Sequence, residues 1–156
     1  MNNNDFLRRL RYALKISDTH AAKLFSKDPA NAVPMDADGF RARIARQEEP
    51  NFKALSDLEL AAFLDGLIAD KRGLREGGSL ASPTPRISKN EVLKKLRIAF
   101  AMRDDDMLHV LKKGGSALSK TELSALFRAP GHKHYRGCGD QVIRAFLMGL
   151  TKDDDE

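Results

Sequence analysis

The chain has 156 residues, 42% hydrophobic and 31% charged, with 27 Lys and Arg against 22 Asp and Glu for a formal charge of +5. That balance fits a soluble globular protein and excludes a disordered one. No apolar run reaches the roughly 18 residues of a membrane span, and Met1 to Asp5 lacks the basic and apolar regions of a signal peptide, so no membrane is expected and the expected compartment is the cytoplasm. A lone Cys138 cannot form an internal disulfide, which agrees with a reducing environment.

Taken in order, the first helix is expected from about Asn4 to Ile16, with Phe6, Leu7, Leu10, Ala13 and Leu14 on one face and Arg8, Arg9, Arg11 and Lys15 largely away from it. Asn4 suits an N-cap, with Asp5 in the first turn. Ser17-Asp18 opens a second helix that ends near Lys27 or Asp28, before Pro29. A third is expected from Asp36 or Asp38 to Gln47, with Phe40 and Ile44 inward and Arg41, Arg43 and Arg46 outward. Phe52 is expected to pin the loop that follows. Ser56-Asp57-Leu58-Glu59 reads as a capping box opening a fourth helix, with Leu60, Phe63, Leu64 and Leu67 on its apolar face, that runs to about Arg72.

Gly73 to Pro85 holds Gly-Gly, serines, a threonine and two prolines and reads as a linker. With the two residues after it, it separates a first repeat, residues 1–72, from a second, residues 88–152; Asp153 to Glu156 form an acidic tail. Without that tail, 27 basic side chains face 18 acidic ones, a charge of +9 that points to an acidic partner.

The second repeat is a copy of the first. Asn90 to Phe100 matches Asn4 to Leu14 at an offset of 86, and Asp140 to Leu150 matches Asp57 to Leu67 at an offset of 83, the three-residue difference falling in the loop of Asp28 to Val33. Helices are expected near Lys89–Met102, Asp104–Lys112, Ser119–Phe127 and Asp140–Thr151, with a second capping box at Ser119-Lys120-Thr121-Glu122. Nothing alternates with period two for long enough to make a strand. The fold class expected is all-α: two pseudo-symmetric four-helix domains from an internal duplication, each resembling a helix-turn-helix domain. Arg11 with Asp57, and Arg97 with Asp140, are retained in both copies and are expected to pair within each repeat.

Three constellations bear on function. The helix of Asp104 to Leu111, the glycine-containing turn and the Ser-capped helix from Ser119 are the parts of a repressor-like helix-turn-helix. On that reading Lys120, Thr121 and Ser124 face base edges, Lys112 and Lys113 meet phosphates, and Arg41, Arg43 and Arg46 are their counterparts in the first copy. The duplicated basic helices from Asn4 and Asn90 suit a phosphate-tracking surface more generally. In the third, Gly131 to Asp140, His132, His134, Cys138 and Asp140 could supply zinc ligands, but their spacing matches no common zinc motif and Glu49, Asn51 and Leu55 could not rebuild the site in the first copy. No metal, no cofactor and no catalytic residue is expected, since the chain has no phosphate-binding loop, glycine fingerprint or serine elbow.

The motifs Leu-(Arg/Lys)-(Arg/Lys)-Leu-Arg-(Tyr/Ile)-Ala, Phe63-Leu64-Asp65-Gly66-Leu67, Asp70-Lys71-Arg72-Gly73, Arg128-Ala129-Pro130-Gly131-His132-Lys133 and Cys138-Gly139-Asp140-Gln141 resemble the YehS-like family of small bacterial proteins, a domain of unknown function in two copies per chain. The resemblance spans essentially residues 4 to 150. It implies duplication and a helical cytoplasmic protein, and it brings no activity to particular residues. The expected role is non-catalytic binding with a regulatory purpose, to nucleic acid, DNA before RNA. The alternative is an adaptor for an acidic or other protein, docking near Tyr12 and Ile98.

Overall fold

Apolar runs of helical period, most of them opened by a residue able to cap a helix, form eight α-helices among the described residues. A computed structural model describes residues 1–74 and 86–152, so most of the expected linker and all of the acidic tail lie outside the described residues. Two compact units are found, Met1–Ile87 and the residues from Ser88 onward. The first holds α1 (Asn3–Leu14), α2 (Asp18–Lys27), α3 (Ala37–Ile44) and α4 (Asp57–Arg72), with a 3-10 turn at Pro29–Asn31. The second holds α5 (Lys89–Ala99), α6 (Asp104–Lys113), α7 (Lys120–Leu126) and α8 (Asp140–Thr151). There is no strand among the described residues, and no helix among them is long and apolar enough to cross a membrane.

Side-chain caps explain where six of these helices start, all but α6 and α8. Ser17, Asp36, Ser56, Ser88 and Ser119 each accept a hydrogen bond from the backbone N–H three residues on, and both expected capping boxes, Ser56 with Glu59 and Ser119 with Glu122, are formed. α1 differs from expectation: its cap is Asn2, whose side chain accepts from the Asp5 N–H at 2.8 Å, and Asn4 is buried inside the unit. α1 and α5 also stop short of Ile16 and Met102. Lys15 and Ala101, at equivalent positions, take left-handed conformations (φ 55° and 52°) that end the helical path at an energetic cost of about 1 kcal/mol each.

In each unit the core forms where the second helix lies along the fourth, α2 on α4 and α6 on α8. Both crossings are close because a glycine of the fourth helix faces the backbone of the second: a Cβ on Gly66 would overlap the Leu24 carbonyl, and one on Gly149 the Val110 carbonyl. These contacts are equivalent under the repeat. Around them the first unit buries Phe25 against Phe40 and Phe63, with ring centroids 6.4 and 5.1 Å away, and the second places Leu111, Leu123 and Phe146 at the same positions. Phe52 and Tyr135 are half-buried, and the loop of the first unit is anchored more firmly by Leu55, which is fully enclosed.

α3 ends at Ile44 rather than Gln47. Arg8 of α1 donates from Nε to the Ile44 carbonyl at 2.8 Å and from Nη2 to the Ala45 carbonyl at 3.0 Å, so the last carbonyls are satisfied from outside and the chain turns extended at Ala45.

Candidate nucleic-acid interface

The loop between the third and fourth helices of each unit is held by the asparagine that the two copies share. Asn4 Nδ2 donates to the carbonyls of Arg43 and Lys53 at 2.9 and 2.8 Å, and its Oδ1 accepts from the Leu55 N–H at 3.0 Å. Asn90 donates to Leu126 and Arg136, both at 2.9 Å, and accepts from Cys138 at 2.8 Å. One amide thus ties three backbone groups, at positions related by the offset of 83, in both units. The loops they hold have the same turns. Glu49 N–H to Arg46 O, Phe52 N–H to Glu49 O and Lys53 N–H to Ala42 O recur as His132 to Ala129, Tyr135 to His132 and Arg136 to Ala125.

The retained arginines do a different job from the one expected. Arg11 pairs with Asp18 at 3.1 Å and Arg97 with Asp104 at 2.6 Å, joining the first helix to the start of the second in each unit. Asp57 instead accepts from Asn3 Nδ2 at 2.7 Å and from the Ile87 N–H at 3.1 Å, and Asp140 pairs with Lys89 at 2.9 Å. The reach explains it: Arg11 and Asp18 are two turns apart around a tight corner, and the aspartate at the head of the next helix lies closer than the one on α4. Arg97 also covers the Phe127 ring, 4.8 Å from its centroid.

The residues expected to read nucleic acid fall into two groups. In the second unit Lys112, Lys120, Thr121 and Ser124 are exposed, whereas Lys113 is half-buried and donates to the Lys152 carbonyl at 3.2 Å. α6 and α7 are joined by a six-residue turn, residues 114–119, and α7 itself has only seven residues. Lys120 faces Asp105 at 3.4 Å, next to the acids Asp104 and Asp106 that favour the α6 N-terminus. Glu122 is held by Ser119 and Arg136, and the Ser119 backbone N–H, then its hydroxyl, then the arginine charge keep its carboxyl below the usual carboxylate range.

In the first unit the expected cations are mostly engaged. Arg43 does not point outward: its side chain is 17% exposed and binds Glu59 at 2.8 Å and the Gly39 carbonyl at 2.9 Å, because its place on α3 opposes the first turn of α4. Arg41 is exposed but joins Asp38 and Asp18, which raise its pKa, and Arg46 is exposed.

Two features lie outside the sequence reading. Residues 1–74 hold twelve basic and eleven acidic side chains, while residues 88–152 hold thirteen and six, so the positive excess sits on the second unit. A count within each repeat is enough to find it. The second unit also has a cavity of about 280 Å³ whose lining includes Leu118, Glu122, Leu126, Arg136, Gly139 and Val142. At the positions of Leu126, Val142 and Gly139 the first unit has Arg43, Glu59 and Ser56, whose ion pair and capping box are missing here.

Among the described residues no three His, Cys, Asp or Glu side chains converge as metal ligands. His132 Nδ1 accepts from the His134 N–H at 3.0 Å, and burial pushes the Cys138 thiol up to about 11, so that cysteine is a poor thiolate donor.

Comparison with known proteins agrees with the duplication. The family model described as "Protein of unknown function (DUF1456)" matches residues 3–73 and again residues 89–154. The chain is 39% identical over 151 residues to the "Uncharacterized protein YehS" of Escherichia coli (strain K12), a match covering 97% of this chain and 95% of that protein. No solved structure matches it.

Proposed function

We propose a function for a chain that belongs to the DUF1456 family along both its halves: non-catalytic binding of nucleic acid in the cytoplasm, carried by the second unit and serving a regulatory end. The observation that supports this reading most is the uneven charge, thirteen basic against six acidic side chains in residues 88–152 beside near balance in residues 1–74. Phosphate recognition needs cations not already neutralised within the protein. Here Lys112, Arg128, Lys133 and Arg144 are exposed and have no carboxylate within salt-bridge reach among the described residues. Duplex DNA is the preferred form, because α6, its glycine turn and α7 have the order of a helix-turn-helix.

The test is binding of the purified chain to mixed duplex DNA, structured RNA and single strands at low and moderate salt, beside a Lys120→Ala/Thr121→Ala variant. Duplex binding that falls with salt and weakens in the variant supports the helix-turn-helix form of the reading; no binding to any nucleic acid rejects it. A second reading, a protein adaptor, draws on Tyr12, which is 70% exposed on α1. A partner captured through Tyr12 should stay bound as salt rises, since apolar docking is little screened.

A further inference from the structure

We infer that the loop of residues 128–136, rather than the exposed face of α7, is the principal phosphate contact of the second unit, an assignment that rests on the nucleic-acid reading above. The two units share this loop's backbone turns and its asparagine anchor, so side chains alone distinguish the two copies. In the first unit the loop carries Arg46, Glu48, Glu49 and Lys53, two charges of each sign, and Glu49 turns back to accept the Arg46 N–H at 3.1 Å. In the second it carries Arg128, His132, Lys133, His134 and Arg136 and no acid. His132 takes the place of Glu49, accepting the His134 N–H through Nδ1, which leaves Nε2 as the protonated ring nitrogen and a donor. Three full charges and two imidazoles therefore stand on nine residues, all exposed except the half-buried Tyr135.

The loop is rigid where it needs to be. Arg136 is tied by its N–H to Ala125 and by its carbonyl to Asn90, and the chain between is closed by two further turns, so little backbone entropy is lost on binding. Arg128 and Lys133 have no carboxylate partner among the described residues, and Arg136 meets Glu122 only at 3.4 Å with both side chains largely exposed, an ion pair that solvent screens. On α7 the one cation, Lys120, already faces Asp105 beside two more acids, which would repel a phosphate brought to that helix. The loop's cations are exposed and spread over residues 128–136. That suits a run of phosphates along a backbone, read without base specificity.

The experiment uses the full chain and three proteins: wild type, Arg128→Ala/Lys133→Ala, and Lys112→Ala/Lys120→Ala. All substituted side chains are exposed, and unchanged circular dichroism and melting confirm that each variant folds. Binding to a labelled mixed-sequence duplex is followed from about 50 to 200 mM salt, with polyglutamate as competitor. The loop variant should weaken binding about tenfold at the lower salt and reduce the slope of log K against log salt by about two, one for each phosphate that is no longer neutralised. The Lys112→Ala/Lys120→Ala variant should change the slope by less. If the loop variant keeps the wild-type slope while the Lys112→Ala/Lys120→Ala variant loses it, the loop assignment is overturned and the nucleic-acid reading stands. Wild type that binds no nucleic acid overturns both, and polyglutamate that competes as well as duplex at equal charge replaces the phosphate backbone with an acidic protein as the ligand.

Discussion

Replacing Asn4 by alanine should destabilise the first unit more than any other single polar change. Its amide makes three hydrogen bonds of 2.8 to 3.0 Å to the backbone of Arg43, Lys53 and Leu55, and the residue is 5% exposed. A typical hydrogen bond contributes about 1 kcal/mol net, and a buried partner left unsatisfied costs about 1–3 kcal/mol, so the loss is about 3 kcal/mol once some relaxation is allowed. For a unit of this size that lowers the melting temperature by about 12 to 24 °C. Asn90→Ala breaks the same three bonds, but Asn90 is half-buried and water can reach the freed groups, so the expected loss is about 1–2 kcal/mol. Asn2→Ala, which removes only a helix cap, sets the scale at about 1 kcal/mol. Urea denaturation by circular dichroism measures the order, and amide exchange at Leu55 and Cys138 reports each pin locally. An Asn4→Ala loss below that of Asn2→Ala, or below that of Asn90→Ala, would refute the reasoning.

Gly66→Ala and Gly149→Ala should each cost about 3 kcal/mol or more, because the new Cβ meets a carbonyl of the facing helix and two backbones must part; Gly139→Ala, with nothing near its Cβ, should change stability by less than about 1 kcal/mol in the same urea titrations. Burial alone would raise the Glu59 carboxyl, but hydrogen bonds from Ser56 and Arg43 outweigh it and hold the group below its ordinary 4.5. A depressed carboxyl stabilises above the unfolded value and loses that contribution as pH falls through the folded one. Arg43→Met should therefore lower stability most at pH 7 and least near pH 3, and equal losses at both would count against the ion pair. Cys138, with its thiol pushed from 9.0 to about 11 by burial, should react with a thiol reagent at pH 8 about a hundredfold more slowly in the folded chain than in urea. Equal rates would mean that burial does not protect it.

The duplication, the eight α-helices of the described residues and most of the core are legible in the sequence because each rests on a local signal: apolar period, a cap, a glycine or proline. The asparagine pin is not, because the same side chain makes a good N-cap, and residue type alone does not separate the two roles. A better signal is present. Asn4 and Asn90 are identical, whereas a cap position tolerates exchange with serine or aspartate, and Ser88 already offers a cap two residues before Asn90. Retention in the second copy points Arg11 to Asp57, but Asp18 is retained too, as Asp104; repetition narrows the partners and geometry chooses among them. Arg43 reads as outward because one face of an eight-residue helix leaves room for two readings, and only its contact with Glu59 on α4 decides between them.

The pattern of differences between the copies carries more functional information than the pattern of identities. What the copies share is the frame: the asparagine pin, the arginine that joins the first helix to the second, the glycine at the close crossing and the turns after the third helix. What differs is where charge goes. The first unit places Arg43 against Glu59 and balances its loop with Glu48 and Glu49, so its cations serve its own stability. The second has Leu126 and Val142 where that ion pair stood, Gly131 and His132 where the loop acids stood, and Arg128 and Lys133 in place of Ala45 and Pro50, with a cavity beside Leu126 and Val142 and cations facing solvent. Losing a partly buried ion pair to apolar residues of the same frame need not lower stability. On the proposed reading the exchange leaves the second unit's surface open to an anionic ligand while the fold is kept, and restoring acids to its loop, as Gly131→Glu/His132→Glu, should abolish salt-dependent binding with little change in melting temperature if the loop works through charge.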